Sequence, residues 1–120
     1  MKILMIVLLG CGLLAASVPS VAADSRGSRS CRKWTEERAQ AEGQDKLNKM
    51  PILITKSWFL GYLSGRASRN SQDVLKGTDN ESIFLWLDNY CSERPQQDLD
   101  SAGLALEQEL TLMKAGKPSR

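Results

Sequence analysis

The sequence predicts an all-α protein, a small four-helix domain stapled by one disulfide. Three observations predict it. Apolar residues recur at three- and four-residue spacing in four segments, and no segment shows the sustained alternation of a half-buried strand. Clusters of Gly, Asn, Asp and Pro separate these segments. Behind an apolar leader only two cysteines remain, Cys31 and Cys91, each on the apolar stripe of a different segment.

The leader is Met1-Lys2 followed by Ile3 to Ala16 without a charge, then "SVPSVAAD". Val21 and Ala23 are the small residues a signal peptidase reads, so residues 1–23 are expected to be a cleaved secretory signal. The run is too short for a bilayer span and has no stop-transfer flank. "LLGC" at Leu8 to Cys11 loosely matches a lipoprotein box, but the apolar run continues past it through Leu14. Ordinary cleavage is the favoured reading, and it implies that the mature chain is exported.

Residues 24–29, "DSRGSR", read as a flexible polar leader. A single helical domain is expected over 30–115. Its first helix starts with Ser30 as N-cap, and Cys31, Trp34, Arg38 and Ala41 share one stripe. Gly43 weakens that helix, and "GQDKLNK" reads as a connection.

The second helix is expected over Met50 to Ser68, with Pro51 in its first turn. Ile52, Leu53, Trp58, Phe59, Tyr62 and Leu63 supply its buried face. Ser57, Gly61 and Gly65 form a small-residue line at i, i+4 and i+8. Glycine costs a helix up to ~1 kcal/mol relative to alanine, so this line suggests that another backbone passes close by. Packing inside the monomer is the simpler reading, and a groove for a partner the sharper one. Lys56 interrupts any membrane-spanning reading.

"RNSQDVLKGTDN" reads as a loop, with Val74 and Leu75 tucked onto the core. "TDNE" matches a capping box with Thr78 as N-cap and Glu81 reaching back. The third helix then presents Ile83, Phe84, Trp86, Leu87, Tyr90 and Cys91 on one face, with Asp88, Asn89 and Ser92 opposite. Pro95 ends it. A fourth helix begins near Gln96 to Asp98, and Asp98 and Asp100 suit its positive end. Leu99, Ala102, Leu106, Leu110 and Met113 form its stripe, Gly116 its cap, and 116–120 a tail.

Charge and chemistry narrow the function. The chain has 16 Lys and Arg against 14 Asp and Glu, and no histidine. This near balance argues against a nucleic-acid binder and gives no reason to expect an anionic membrane as partner. Without histidine or a C-x-x-C pair, a Cys/His metal site or a Cys–His nucleophile is excluded. Two cysteines in an exported domain of this size most simply form a disulfide between Cys31 and Cys91. The carboxylates Asp88, Glu93, Glu107 and Glu109 read as a solvated charged face. Of the three tryptophans, Trp34 is expected to be the most exposed, with Trp58 and Trp86 on buried faces. No enzyme, cofactor or metal is expected.

The stretches "SCRKW", "WFLGYLSGRAS" and "WLDNYCSERPQQDLDSAGLALEQEL" resemble a group of small exported proteobacterial proteins. Within that layout the chain is similar to the periplasmic acid-stress chaperones of the HdeA/HdeB type, through the Tyr90, Cys91 and Pro95 step. More weakly it resembles the Tai-type immunity proteins of type VI secretion, through Leu60, Gly61 and Tyr62, although it lacks their extra late cysteine pair. The first resemblance implies a homodimer loosened by acid, which binds unfolded clients through apolar helix faces. Trp58, Phe59, Phe84 and Trp86 are the candidate partner-binding residues. The second implies one specific partner, either a toxin to neutralise or an envelope assembly that the protein serves as an accessory subunit.

Overall fold

The computed structural model of the chain describes residues 26–43, 45–69 and 73–116. The expected signal peptide with Cys11, and the tail beyond Gly116, lie outside these residues. Four helices follow in order: α1 (Cys31–Gln40), α2 (Lys46–Ala67), α3 (Asn80–Glu93) and α4 (Leu99–Lys114). The all-α fold and the disulfide are as the sequence predicts.

Local chemistry sets each helix start. Ser30 caps α1 by accepting from the Lys33 N–H. Asp45 caps α2 by accepting from the Leu47 N–H, so α2 begins four residues earlier than the apolar pattern alone indicates. Most of the expected connection "GQDKLNK" is therefore helix. Pro51 lies beyond the first turn, on an N-terminal stretch whose residues 46–50 are all exposed. The α3 cap is Asp79 rather than Thr78. Its carboxylate accepts from both the backbone and the hydroxyl of Ser82, so no capping box forms around Thr78 and Glu81. These bonds hold the Asp79 carboxyl below its ordinary value. At the far end of α3, Arg94 leaves helical geometry just before Pro95.

The core is one cluster. It joins Cys31 and Trp34 of α1, Ile52, Phe59 and Leu63 of α2, and Ile83, Phe84, Leu87 and Cys91 of α3. From α4 it takes Leu99, Ala102, Leu106 and Leu110, and Val74 closes it from the α2–α3 turn. The helices pack chiefly as α1 on α2, α2 on α4, α4 on α3 and α3 on α1, a closed ring of four contacts. Three expectations fail here. Trp34 is fully buried, not the most exposed tryptophan. Leu53 is half exposed, because it sits ~100° around the helix from Ile52. Met113 is exposed, because the α4 stripe runs on past the core.

The glycine that does pack closely is Gly103 on α4. A Cβ there would meet the Tyr62 ring at 2.6 and 2.8 Å. That ring cannot easily give way. It stacks on Trp58 at 5.3 Å, and its hydroxyl donates to the Asp100 carbonyl. Gly103→Ala is expected to lower stability by about 1–3 kcal/mol despite alanine's better helix propensity. Urea unfolding would check it; a stabilised variant would show that Tyr62 moves freely. Gly61 and Gly65 are the opposite case. Nothing lies within 4 Å of a Cβ at either, so the small-residue line with Ser57 faces outward rather than into the monomer.

One corner gathers three chain segments. Cys31 and Cys91 are bonded, with Cα atoms 4.8 Å apart. The Cys31 N–H donates to the Gln97 carbonyl and the Leu99 N–H to the Arg29 carbonyl, an isolated bridge between Ser30 and Asp98. Ser28 adds a bond to the Asp100 carboxylate. The start of α1, the end of α3 and the start of α4 are thus fixed together.

Candidate functional site

Two features set this bundle apart from a generic one: where it places its carboxylates, and what α2 shows to solvent.

Each of the four helix contacts in the ring carries one carboxylate link. Between α1 and α2, the Thr55 hydroxyl donates to Glu37 at 2.5 Å, and Glu37 is 1 % exposed. Arg29 stands 3.9 Å from the same carboxylate. Between α1 and α3, Asp88 accepts from the Trp34 indole at 2.7 Å and from two nitrogens of Arg38. Between α2 and α4, Arg66 pairs with Glu107. Between α3 and α4, the Trp86 indole donates to Glu109 at 2.9 Å.

The two arginine links are the electrostatically strong ones, because an ionised donor meets an ionised acceptor. The hydrogen bond to Asp88 holds the Arg38 guanidinium above its ordinary value, and that to Glu107 does the same for Arg66. Each arginine also covers a ring, Arg38 that of Trp34 at 5.5 Å and Arg66 that of Tyr62 at 5.8 Å.

These links correct the expectation of a purely solvated acidic face. Asp88 and Glu107 are less than a third exposed at the side chain and bonded to a neighbouring helix, and Glu109 is partly buried. Only Glu93 behaves as expected, exposed and paired with the adjacent Arg94. Glu37 was not singled out by the sequence at all. The available signal was its position: it lies three residues after Trp34 on the apolar stripe of α1.

The four candidate partner-binding residues divide into two kinds. Phe59 and Phe84 are core residues, 0 % and 4 % exposed. Phe84 packs near Trp34 and under the Lys56 ammonium. Trp58 and Trp86 lie at the core margin, half-buried. Trp58 donates to the Arg26 carbonyl, and Trp86 stacks on Tyr90. In the closed bundle none of the four forms an open apolar surface. Trp86 and Tyr90 line a shallow groove of about 430 Å³ between α3 and α4, with Arg94, Gln108 and Glu109 around them.

Among the described residues, four of the seven exposed large apolar side chains are on α2. Leu47, Met50, Leu53 and Ile54 are between 53 % and 77 % exposed. They continue along the same side into Ser57, Gly61, Ser64 and Gly65, all exposed. This outer strip carries no charged residue between Leu47 and Gly65. The sequence reading weighed the Ser57, Gly61 and Gly65 line as a partner groove, but it placed the partner-binding aromatics on the inner face and did not single out Leu47, Met50 or Ile54.

Among the described residues, no group of three or more Cys, Asp or Glu is placed to hold a metal ion. Nor is any described helix long and apolar enough to cross a membrane. No family model matches the chain, and neither a curated protein nor a solved structure matches it significantly.

Proposed function

We propose that this is a non-enzymatic, exported protein-binding protein whose bundle loosens in acid and then offers its apolar helix faces to unfolded clients. The observation that carries the reading is the carboxylate link at every helix contact of the ring, two of the four being arginine pairs. A hydrogen bond to a charged group is worth ~1.5–3 kcal/mol against ~0.5–1.5 for a neutral one. Small domains hold only ~5–15 kcal/mol, so weakening these links loosens the bundle. The disulfide keeps the opened chain compact. Phe59, Phe84, Trp58 and Trp86 become accessible in that state.

The sign of the pH dependence follows from the shifts. Asp79 has a lowered value in the folded state, so its contribution is present above the unfolded carboxylate value and lost as pH falls through the folded one. Arg38 and Arg66 have raised values, so both guanidinium groups stay charged throughout the acid range and do not themselves titrate there. All the acid sensitivity belongs to carboxylates, and the transition is expected at roughly pH 3–5 rather than near pH 6. With no histidine, no group senses milder acid.

Dye binding and light scattering at pH 7 and pH 3 test this. Reversible dye binding in acid is expected, and Asp88→Asn should bring it on at higher pH. An ordered, dye-silent chain at pH 3 would rule the reading out.

A second reading, a dedicated-partner protein such as an immunity protein or accessory subunit, is favoured by the α2 strip. That strip is open in the neutral, closed bundle and needs no acid to be presented. A single tight partner recovered at pH 7, with no acid transition, would establish it.

A further inference from the structure

Charge is placed unevenly on this bundle. α2 carries four basic residues, Lys46, Lys49, Lys56 and Arg66, and no acidic one. α3 carries three acidic residues, Glu81, Asp88 and Glu93, and no basic one. The two helices stand at opposite corners of the ring, since each packs chiefly on α1 and α4. The near balance of the whole chain therefore conceals a positive edge and, across the bundle, a negative one.

The positive edge is also apolar at its N-terminal end. Leu47, Met50, Leu53 and Ile54 fall within about 120° of one another around the helix at ~100° per residue, and each is more than half exposed. Lys46 opens this face and Lys49 flanks it. Both lysines are exposed, and no ion pair among the described residues involves them. The nearest carboxylate in sequence, Asp45, is engaged as the helix cap. Lys56 and Arg66, by contrast, are held to the bundle, over the Phe84 ring and by Glu107. The core begins at Ile52, so the exposed stretch 46–50 runs beyond it.

We propose that this end of α2 docks on an anionic lipid surface, its apolar face sunk to the headgroup boundary and Lys46 and Lys49 against the lipid phosphates. A helix with apolar side chains on one face and lysines beside them binds in this way, lying in the interface rather than crossing it. A protein partner asks for a different surface, because protein interfaces are depleted in lysine and enriched in aromatic residues and arginine. The exposed face has lysine and neither of the others. Charge also sets the orientation: with α2 down, the acidic α3 points away from the membrane, and the reverse would press Glu81 and Glu93 against like charge. Four apolar side chains and two unpaired lysines make a reversible contact. Each lysine contributes about five-fold to affinity, and salt screens that part. The contact does not rest on the acid reading, because the face is exposed in the closed bundle.

The test uses the chain from Asp24 onward, which holds every described element. At pH 7 and low salt it should co-sediment with vesicles of phosphatidylglycerol and phosphatidylethanolamine, less so in high salt, and not with phosphatidylcholine vesicles. Lys46→Gln and Lys49→Gln should each weaken binding about five-fold, and Met50→Ser about ten-fold, with the thermal midpoint unchanged. Lys76→Gln removes the same charge beyond the C-terminal end of α2 and should leave binding as it was. An environment-sensitive dye on Ile54→Cys should shift to the blue on the vesicles, and one on Leu85→Cys of α3 should not. A shift at Leu85→Cys instead, or equal binding to phosphatidylcholine, would overturn the proposal. No binding to the anionic vesicles would also overturn it and leave the face to an acidic protein. None of these outcomes touches the acid transition, which dye binding without vesicles reads separately.

Discussion

Trp34→Ala is expected to destabilise the bundle by about 3–5 kcal/mol, enough to bring a domain of this size near its unfolding threshold. Trp34 is fully buried. Its ring packs 6.1 Å from that of Phe84, lies under Arg38, and donates its N–H to Asp88. Alanine removes the largest side chain of α1 from the core and leaves a void between α1 and α3. Asp88 is not orphaned by the change, because Arg38 still holds both its oxygens. The loss is therefore mainly one of packing. Trp34→Phe separates the two contributions: it keeps most of the volume and loses only the indole bond, so about 1–2 kcal/mol is expected. Urea midpoints for the two variants decide the matter. Equal losses would mean that the hydrogen bond, not the volume, dominates.

The second large effect is loss of the disulfide. Cys31 and Cys91 are 60 residues apart in sequence, and closing a loop of that length restricts the unfolded chain by about 4 kcal/mol on the chain-entropy account. The double variant Cys31→Ser, Cys91→Ser should lose about 2–5 kcal/mol. Cys31 and Cys91 are buried, so the serines also need partners the core does not offer, which places the loss toward the upper end. The consequence is sharper in acid. Oxidised protein should keep a small radius at pH 3 while it binds dye, whereas the reduced or double-serine chain should expand. Scattering radii of the two forms measure this, and equal expansion in both would show that the bridge does not limit the opened state.

The architecture was legible in the sequence because the apolar spacing is strong and the caps are chemically explicit. Ser30 is the cap it looks like, and Pro95 stops α3 as expected. The carboxylate links were much less legible. Asp88 and Glu107 sit on the margins of apolar stripes, where a carboxylate can either meet water or reach a neighbouring helix. Which it does depends on Trp34, Arg38 and Arg66, residues 50 or 54 positions away from Asp88 and 41 from Glu107. Helical periodicity says nothing about such distant partners. Gly61 and Gly65 misled for a related reason. Their spacing announces a close approach, but not whether the approaching backbone is in the same chain, and the close intramolecular contact falls at Gly103, which the α4 pattern did not single out.

The corner where Ser30 meets Asp98 gives the molecule a pivot. A covalent bond and two long-range backbone hydrogen bonds meet there within a few residues, while the far end of α2 begins in five exposed residues. Fluctuations must therefore be unequal along the bundle. The amides of Cys31 and Leu99 should be among the last to exchange with deuterium, and those of the first α2 turn among the first. An opening molecule of this kind behaves as hinged arms rather than as a melting globule. It can expose surface and close again from a retained point of alignment, without having to find its fold anew.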